Sequence, residues 1–208
     1  DFLVRQNENY EYPTKINGGM TWNGKLTSLQ QKISDELVSN FKQKKHSLVH
    51  AVTGAGKTEM LFQLIAECMK SGKRACIATP RIDVVNELFP RFEAAFEELE
   101  IGKYHGREFK EPGLEQLTIC TTHQLMKFYQ AFDLLVIDEV DSFPYVGNPQ
   151  LHFAAKAAVK KNGVRVYLSA TPTADLLEEA KQGKIQILKL NRRFHGGLLP
   201  VPSEKLFI

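Results

Sequence analysis

The sequence predicts an α/β fold in which a parallel β-sheet is covered by helices on both faces. Short apolar runs recur along the 208 residues and alternate with segments of helical periodicity. Strands that are apolar along their whole length are typical of sheets buried on both faces, and such sheets are parallel. Several of these runs end in small or polar residues. Those residues would lie at the carboxyl edge of the sheet, where open α/β sheets bind ligands.

The predicted elements follow in a regular order. A first helix is indicated by Leu29, Ile33, Leu37 and Phe41, with Ser28 as its N-cap. After an apolar run at 48–52 and a helix at 59–69, strands are predicted at 74–79, 117–121, 132–137, 164–169 and 185–190, and helices at 83–98, 124–129, 151–160 and 174–182. We assign residues 23–190 to one domain, 1–22 to an N-terminal extension and 191–208 to a linker.

Composition excludes few classes of protein. The net charge of +3 is too mild to indicate nucleic acid by itself, and no apolar run approaches the roughly 20 residues that span a bilayer. Cys68, Cys76 and Cys120 lack the spacing of zinc ligands and are expected to be reduced core thiols, which favours a cytoplasmic location. The first residues resemble no signal peptide and include no initiator Met, so we expect a processed product or an excised fragment.

The segment 51–58, Ala-Val-Thr-Gly-Ala-Gly-Lys-Thr, lies between a predicted strand and a predicted helix. In that order, backbone N–H groups and a helix N-terminus converge on an anion. Lys57 would reach the β- and γ-phosphates of a nucleotide, and the Thr58 hydroxyl would hold Mg²⁺. Ala51 replaces the usual first glycine, which costs little if φ is negative. The alternative is a glycine-rich turn before a lysine. The candidate nucleotide-binding residues are Thr53, Gly54, Ala55, Gly56, Lys57 and Thr58.

Two acidic residues follow the apolar run at 132–137. Asp138 would hold Mg²⁺, usually through water. Glu139 would orient and polarise the attacking water as a general base. Lys57 and Glu139 are therefore the candidate catalytic residues, and Thr58 and Asp138 the candidate metal ligands. A solvated acidic turn is the alternative.

A further apolar run ends in Ser169-Ala-Thr171. Ser169 and Thr171 could hydrogen-bond to Asp141 and report the state of the nucleotide to a second site. The alternative is a helix N-cap, because Thr171, Pro172 and Thr173 precede a predicted helix. The two interpretations are compatible.

Together these motifs resemble superfamily-two helicases of the DEAD-box-like kind. Residues 138–141 match that family's second motif and 169–171 its third. Residues 26–30 resemble the Q motif, whose glutamine contacts the adenine edge, so the resemblance makes Gln30 a candidate ATP ligand; an exposed helix residue is the alternative. The resemblance implies a RecA-like fold of the phosphate-loop NTPase class and hydrolysis of ATP with Mg²⁺.

Three further segments resemble the strand-contacting motifs of these helicases. They are 79–81, 104–107 and 121–124, of which the first and third directly follow predicted strands. Hydroxyls, backbone amides and arginine suit contacts to a sugar-phosphate backbone. The alternatives are helix caps at Thr79 and Thr122 and a solvated loop at 104–107. The candidate DNA-binding residues are Thr79, Pro80, Arg81, His105, Gly106, Thr121, Thr122, His123 and Gln124.

Segments 51–60, 79–85, 138–145 and 193–196 are similar to the ComFA family of helicase-like ATPases of bacterial natural transformation. Helicases of the PriA type share a similar phosphate loop and are the nearest alternative. The ComFA resemblance implies an ATP-driven motor that handles single-stranded DNA during uptake. It implies a location in the cytoplasm, or at the inner face of the membrane, with competence proteins and a membrane DNA channel as partners.

The resemblance also implies parts that this sequence lacks. The zinc module of ComFA needs four clustered cysteines, and the chain has three scattered ones. A second RecA-like domain would supply an arginine finger, so we expect this chain to be the first motor domain, with 191–208 leading toward the second. The competing hypothesis is a nucleotide-gated module that binds DNA or assembles with partners and uses ATP as a switch.

Overall fold

The computed structural model describes residues 12–52, 55–106 and 113–191. The strands are β1 His46–Ala51, β2 Ala75–Thr79, β3 Ile101–Tyr104, β4 Leu117–Thr121, β5 Phe132–Ile137, β6 Val159–Ser169 and β7 Ile185–Leu190. The α-helices are α1 Ser28–Lys42, α2 Lys57–Lys70, α3 Ile82–Ala95, α4 Pro149–Ala158 and α5 Ala174–Lys181. Two 3₁₀ helices, Ile16–Gly19 and Thr122–Lys127, complete the described part.

The strands form one sheet in the order β3-β4-β2-β5-β6-β1-β7, and every pair of neighbours is parallel. The predicted class is therefore confirmed. Since parallel strands end at the same edge, the segments after β1, β2, β4, β5 and β6 meet there. These are the segments that carry the sequence motifs.

Helices cover both faces of the sheet. Alternate residues of β5 show this directly, because Leu134 and Val136 pack into one core cluster whereas Leu135 and Ile137 pack into the other. The first cluster lies under α1, α2 and α3, and the second lies under α4, α5 and the 3₁₀ helix Thr122–Lys127. This double burial explains why β2, β4 and β5 are buried along almost their whole length.

The structure differs from the predicted elements at three places. β3 was not predicted, because an edge strand of four residues that contains Gly102 leaves little apolar pattern. The segment 104–107 therefore also begins at the end of a strand, contrary to the prediction. The helix predicted at 124–129 is the 3₁₀ helix Thr122–Lys127, and β6 begins at Val159, where the sequence predicts the end of a helix.

Residues before α1 pack against the domain. Gly18 has a φ of +63°, and a Cβ at this position would lie 2.1 Å from the carbonyl oxygen of Ala66 in α2. The Trp22 ring contacts the Phe62 ring edge-on, with centroids 5.2 Å apart. The boundary at residue 22 stays a prediction, and residues 1–11 and most of the predicted linker, 192–208, lie outside the described residues.

The three cysteines are free thiols, and all are buried as predicted. Burial raises the pKa of Cys68 and of Cys76, so both stay protonated. No helix in the described ranges is both long and apolar enough to cross a membrane.

Candidate nucleotide-binding site

The phosphate loop joins β1 to α2 as the sequence predicts. Ala51 is the last residue of β1 and has no positive φ, which explains why alanine is accepted there. Gly56 precedes α2 in the left-handed region, with φ +73° and ψ +41°. No side chain caps the N-terminus of α2, so its first N–H groups remain available to an anion. Ala55 is buried beside Gly56, while Thr53 and Gly54 lie outside the described residues.

Lys57 and Asp138 meet in an open cleft of about 590 Å³ at the carboxyl edge of the sheet. The Lys57 Nζ lies 3.5 Å from the Asp138 Oδ1. The Asp138 N–H donates to the carbonyl of Ala78 in the adjacent strand over 2.8 Å, which fixes the acidic turn. Thr58 lines the same cleft. A hydroxyl and a carboxylate are oxygen ligands of the kind that Mg²⁺ prefers, so the donor set fits the metal.

Glu139 has an unusual backbone and a charged partner. Its φ is +53°, in the left-handed region that non-glycine residues seldom adopt. The Arg81 Nε lies 3.1 Å from the Glu139 Oε2, and the Arg81 Nη2 donates to Oε1 over 3.4 Å. Burial raises the pKa of Glu139, and the guanidinium of Arg81 opposes that rise. A raised pKa suits a general base that works near neutral pH.

Gln30 is tied to the phosphate loop. Its side chain is buried, so the alternative of an exposed helix residue is wrong. The Nε2 donates to the carbonyl of Ala55 over 2.8 Å, and Oε1 accepts from the backbone N–H of Thr27 over 2.9 Å. Thr27, rather than the predicted Ser28, is the N-cap of α1 and forms a capping box with Gln30. The adenine contact itself stays a prediction.

The second and third motifs are connected through Thr171 as expected, whereas the expected bond between Ser169 and Asp141 is not found among the described residues. The Thr171 hydroxyl donates to the Asp141 Oδ2 over 2.6 Å, and the Thr171 N–H donates to the same oxygen over 3.3 Å. Ser169 is buried, and its hydroxyl accepts from the Thr171 N–H over 3.1 Å. The N-cap position of α5 belongs to Thr173, whose side chain forms no cap bond. Asp141 therefore links the acidic turn to β6.

Two residues of this region were missed by sequence reasoning. Arg91 reaches from α3 to donate to the Thr58 hydroxyl over 3.1 Å, and it pairs with Glu59. His50 in β1 donates through Nε2 to the carbonyl of Ala170 over 3.1 Å. Arg91 lies in an ordinary amphipathic helix, and nothing in the sequence around it indicates a functional role. His50 could have been found, because it is a polar residue near the end of an apolar strand.

The candidate DNA-binding residues separate into two groups. The side chains of Thr79, Pro80, Thr121, Thr122 and Gln124 are buried, so we no longer assign them side-chain contacts with a strand. Arg81, Gly106 and His123 are exposed and His105 is half-buried, and these remain candidates. Gln124 donates to the carbonyl of Gly106 over 3.1 Å, which brings the second and third segments together.

The helix-cap alternatives for this edge are wrong. Arg81, not Thr79, is the residue before α3, and it makes no side-chain cap bond. Thr121 precedes the 3₁₀ helix Thr122–Lys127 and also makes none. The hydroxyls of Thr79 and Thr122 have no hydrogen-bond partner within the described ranges.

Comparison with known proteins places the chain in a family. Residues 23–174 match the family described as type III restriction enzyme, res subunit. The chain belongs to this family. It is 48% identical over 187 residues to the competence protein ComFA of Streptococcus pneumoniae, and 46% identical over 183 residues to that of Bacillus subtilis. Each alignment covers 88% of this chain, and the resemblance to ComFA is thus confirmed.

The chain spans only 42% and 40% of the lengths of these two ComFA proteins. The replication restart protein PriA of Haemophilus influenzae is a more distant relative. It is 27% identical over 161 residues, which cover 70% of this chain and 22% of that protein.

Solved structures support the RecA-like fold. A hypothetical ATP-dependent RNA helicase from Sulfolobus tokodaii superposes with a TM-score of 0.65 at 16% identity, over 81% of this chain and 54% of that one. The SWI2/SNF2 ATPase core of Sulfolobus solfataricus, solved in complex with dsDNA, gives 0.61 at 19% identity, over 77% and 35%. The chain therefore has the fold of a helicase-type RecA-like domain.

Proposed function

We propose that this chain is the first motor domain of an ATP-driven motor that moves single-stranded DNA during natural transformation. The observation that carries the proposal is the meeting of Lys57, Asp138 and Glu139 in one cleft, joined through Asp141 to Thr171. The identity with ComFA proteins supplies the biological setting.

The cleft residues take separate roles in hydrolysis. Lys57 neutralises charge on the β- and γ-phosphates of ATP. Thr58 and Asp138 would hold Mg²⁺, and the bound metal would offset the charge of the triphosphate. Glu139 accepts a hydrogen bond and then a proton from the attacking water. A bound metal would compete with Arg91 for the Thr58 hydroxyl oxygen, because both are cations that seek its lone pairs.

The strand-binding edge that we propose shares Arg81 with the cleft. We assign contacts with the sugar-phosphate backbone to Arg81, His105, Gly106 and His123, the candidates that are exposed or half-buried. The bond between Asp141 and Thr171 would pass the state of the nucleotide to this edge. A second RecA-like domain would close over the nucleotide and supply an arginine. The motor would work in the cytoplasm, or at the inner face of the membrane, with competence proteins and a DNA channel.

ATP hydrolysis, with and without single-stranded DNA, tests this proposal. It is measured on this chain and on the longer protein, which in this proposal contains the chain together with a second RecA-like domain. We expect the chain alone to turn over little, because a missing arginine finger costs about 10³–10⁵ in rate in related enzymes. The longer protein should be stimulated by DNA. Its Glu139→Gln variant should bind ATP but hydrolyse little, with Lys184→Gln on the exposed surface after α5 as a control that retains activity.

Two results would overturn the proposal. Efficient multiple turnover by the isolated chain would show that no second domain is needed. The nucleotide-gated binding module would instead be favoured by two findings together. DNA would leave the rate of hydrolysis by the longer protein unchanged, and its Glu139→Gln variant would keep its affinity for partners.

A further inference from the structure

Arg81 belongs to the strand-binding edge and to the nucleotide cleft at once. It immediately precedes α3 and lies two residues after the end of β2, and half of its side chain is exposed. It also lines the cleft that holds Lys57 and Glu139. A residue in this position can touch a strand or the catalytic carboxylate, depending on where its guanidinium points.

In this structure the guanidinium points to the carboxylate. The Arg81 Nε lies 3.1 Å from the Glu139 Oε2, and the Nη2 lies 3.4 Å from Oε1. The hydrogen bond is to Oε1, whereas Oε2 contacts the guanidinium as an ion pair and has no hydrogen-bond partner in the described part of the chain. The ion pair fixes where the carboxylate points, whereas a general base must be oriented toward the attacking water, so this pairing competes with catalysis.

The other cations of the described cleft are held elsewhere. Lys57 lies 3.5 Å from Asp138, and Arg91 pairs with Glu59 and contacts Thr58. Among the described residues, Arg81 has one further acidic partner, the exposed Asp83, at 3.7 Å. Since the pair with Glu139 is partly exposed, it is weak enough for a phosphodiester to displace.

We propose that Arg81 is a positioning residue that holds Glu139 out of its working position until a nucleic-acid strand draws the guanidinium away. The released carboxylate then faces the attacking water, so strand binding and hydrolysis are coupled through one side chain. This inference rests on the proposed function and adds to it the means by which DNA stimulates hydrolysis.

The test measures steady-state ATP hydrolysis by the longer protein, with and without a thymidine oligonucleotide. Arg81→Gln should raise the DNA-free kcat by about two- to five-fold, the range that the loss of a partly exposed ion pair allows. The ratio of stimulated to DNA-free kcat should fall by at least the same factor. Arg81→Lys should lie between wild type and Arg81→Gln, because lysine keeps the charge but loses the planar guanidinium that contacts the carboxylate.

A second variant acts in the opposite direction. Asp83→Asn removes the competing carboxylate and leaves Arg81 paired with Glu139 alone, so the DNA-free kcat should fall and the ratio of stimulated to DNA-free kcat should rise. Asp83 is exposed, so folding is not at risk. Lys70→Gln, an exposed charge at the far end of α2, is the control and should change neither quantity.

The outcomes separate this inference from the proposed function. If the wild-type protein is stimulated but Arg81→Gln keeps the same ratio, Arg81 does not couple the sites. If Arg81→Gln and Arg81→Lys lose both activities, the residue is required for catalysis or folding and the inference is wrong. A wild-type protein that DNA does not stimulate would instead contradict the proposed function.

Discussion

Replacing Gln30 by alanine tests whether this residue supports the phosphate loop or only recognises a base. The buried amide donates to the Ala55 carbonyl over 2.8 Å and accepts from the Thr27 N–H over 2.9 Å. Alanine leaves both backbone groups without these partners. The substitution should therefore loosen the loop and the start of α1 together.

The cost follows from the two lost bonds. A buried acceptor without a partner costs about 1–3 kcal/mol, and loss of a helix cap costs about 0.5–2 kcal/mol. We expect the free energy of unfolding to fall by about 2–4 kcal/mol. For a chain of this size, that corresponds to a fall in Tm of roughly 5–15 °C.

Thermal unfolding of the isolated chain measures this loss directly. Gln31→Ala is the matched control: it removes the same side chain one position later, where the amide donates to Asp35 and Gln63. We expect that variant to lose less than about 1 kcal/mol. Equal stability of Gln30→Ala and wild type would refute the reasoning.

Nucleotide binding separates the two roles of Gln30. If the residue only supports the loop, Gln30→Ala should weaken ATP and GTP alike. If it also contacts adenine, the preference for ATP over GTP should disappear as well. Fluorescent nucleotide titrations of the same two variants give both quantities.

Three further predictions concern pH, motif coupling and packing. Burial raises the pKa of Glu139, and a general base must be deprotonated. As the pH is lowered, kcat of the longer protein should therefore begin to fall at a higher pH than an ordinary glutamate would give. A pH–rate profile without this shift would contradict the assignment. Asp141→Asn and Thr171→Val should each lower the rate of DNA-stimulated hydrolysis. The double variant should lose little more of this rate than either single variant, because both remove the same 2.6 Å bond. Fully additive losses would mean that the bond is not used. Gly18→Ala should lower the free energy of unfolding by at least about 2 kcal/mol, because its Cβ would overlap a backbone carbonyl of α2 as well as straining φ. Gly183→Ala, at a φ of +75° with open space around it, should show the strain of about 1 kcal/mol alone, and equal losses in denaturant titrations would exclude the overlap.

The sequence predicted most of the fold because the strands are buried on both faces. β4, β5 and β7 have the predicted bounds. β4 and β5 are buried along almost their whole length, which leaves little choice of bounds, whereas β7 lies at the sheet edge and buries only part of its residues. β3 was not predicted, because it is short and lies at the edge of the sheet, where only one of its sides pairs with a neighbouring strand. The early start of β6 was not predicted, because Val159 pairs with Phe132, a residue distant in sequence.

The candidate site shows the same division. The motifs at 51–58, 138–141 and 169–171 could be read from the sequence, because phosphate, metal and water each require particular groups at fixed spacing. Their assembly at one edge follows from the parallel strands. The burial of Thr79 and Thr122 could not be predicted from the sequence, because a threonine near a strand end can be either buried or exposed to solvent.

The sequence by itself determined the chemistry that is present: a phosphate loop, two acids and a hydroxyl motif on an α/β sheet. Only the tertiary structure decided which of these groups are partners. Arg81 meets Glu139, Arg91 meets Thr58, and Gln30 meets Ala55 across separations of 58, 33 and 25 residues. Such pairings depend on the order of strands in the sheet and on the rotation of each helix about its axis, and local sequence patterns encode neither.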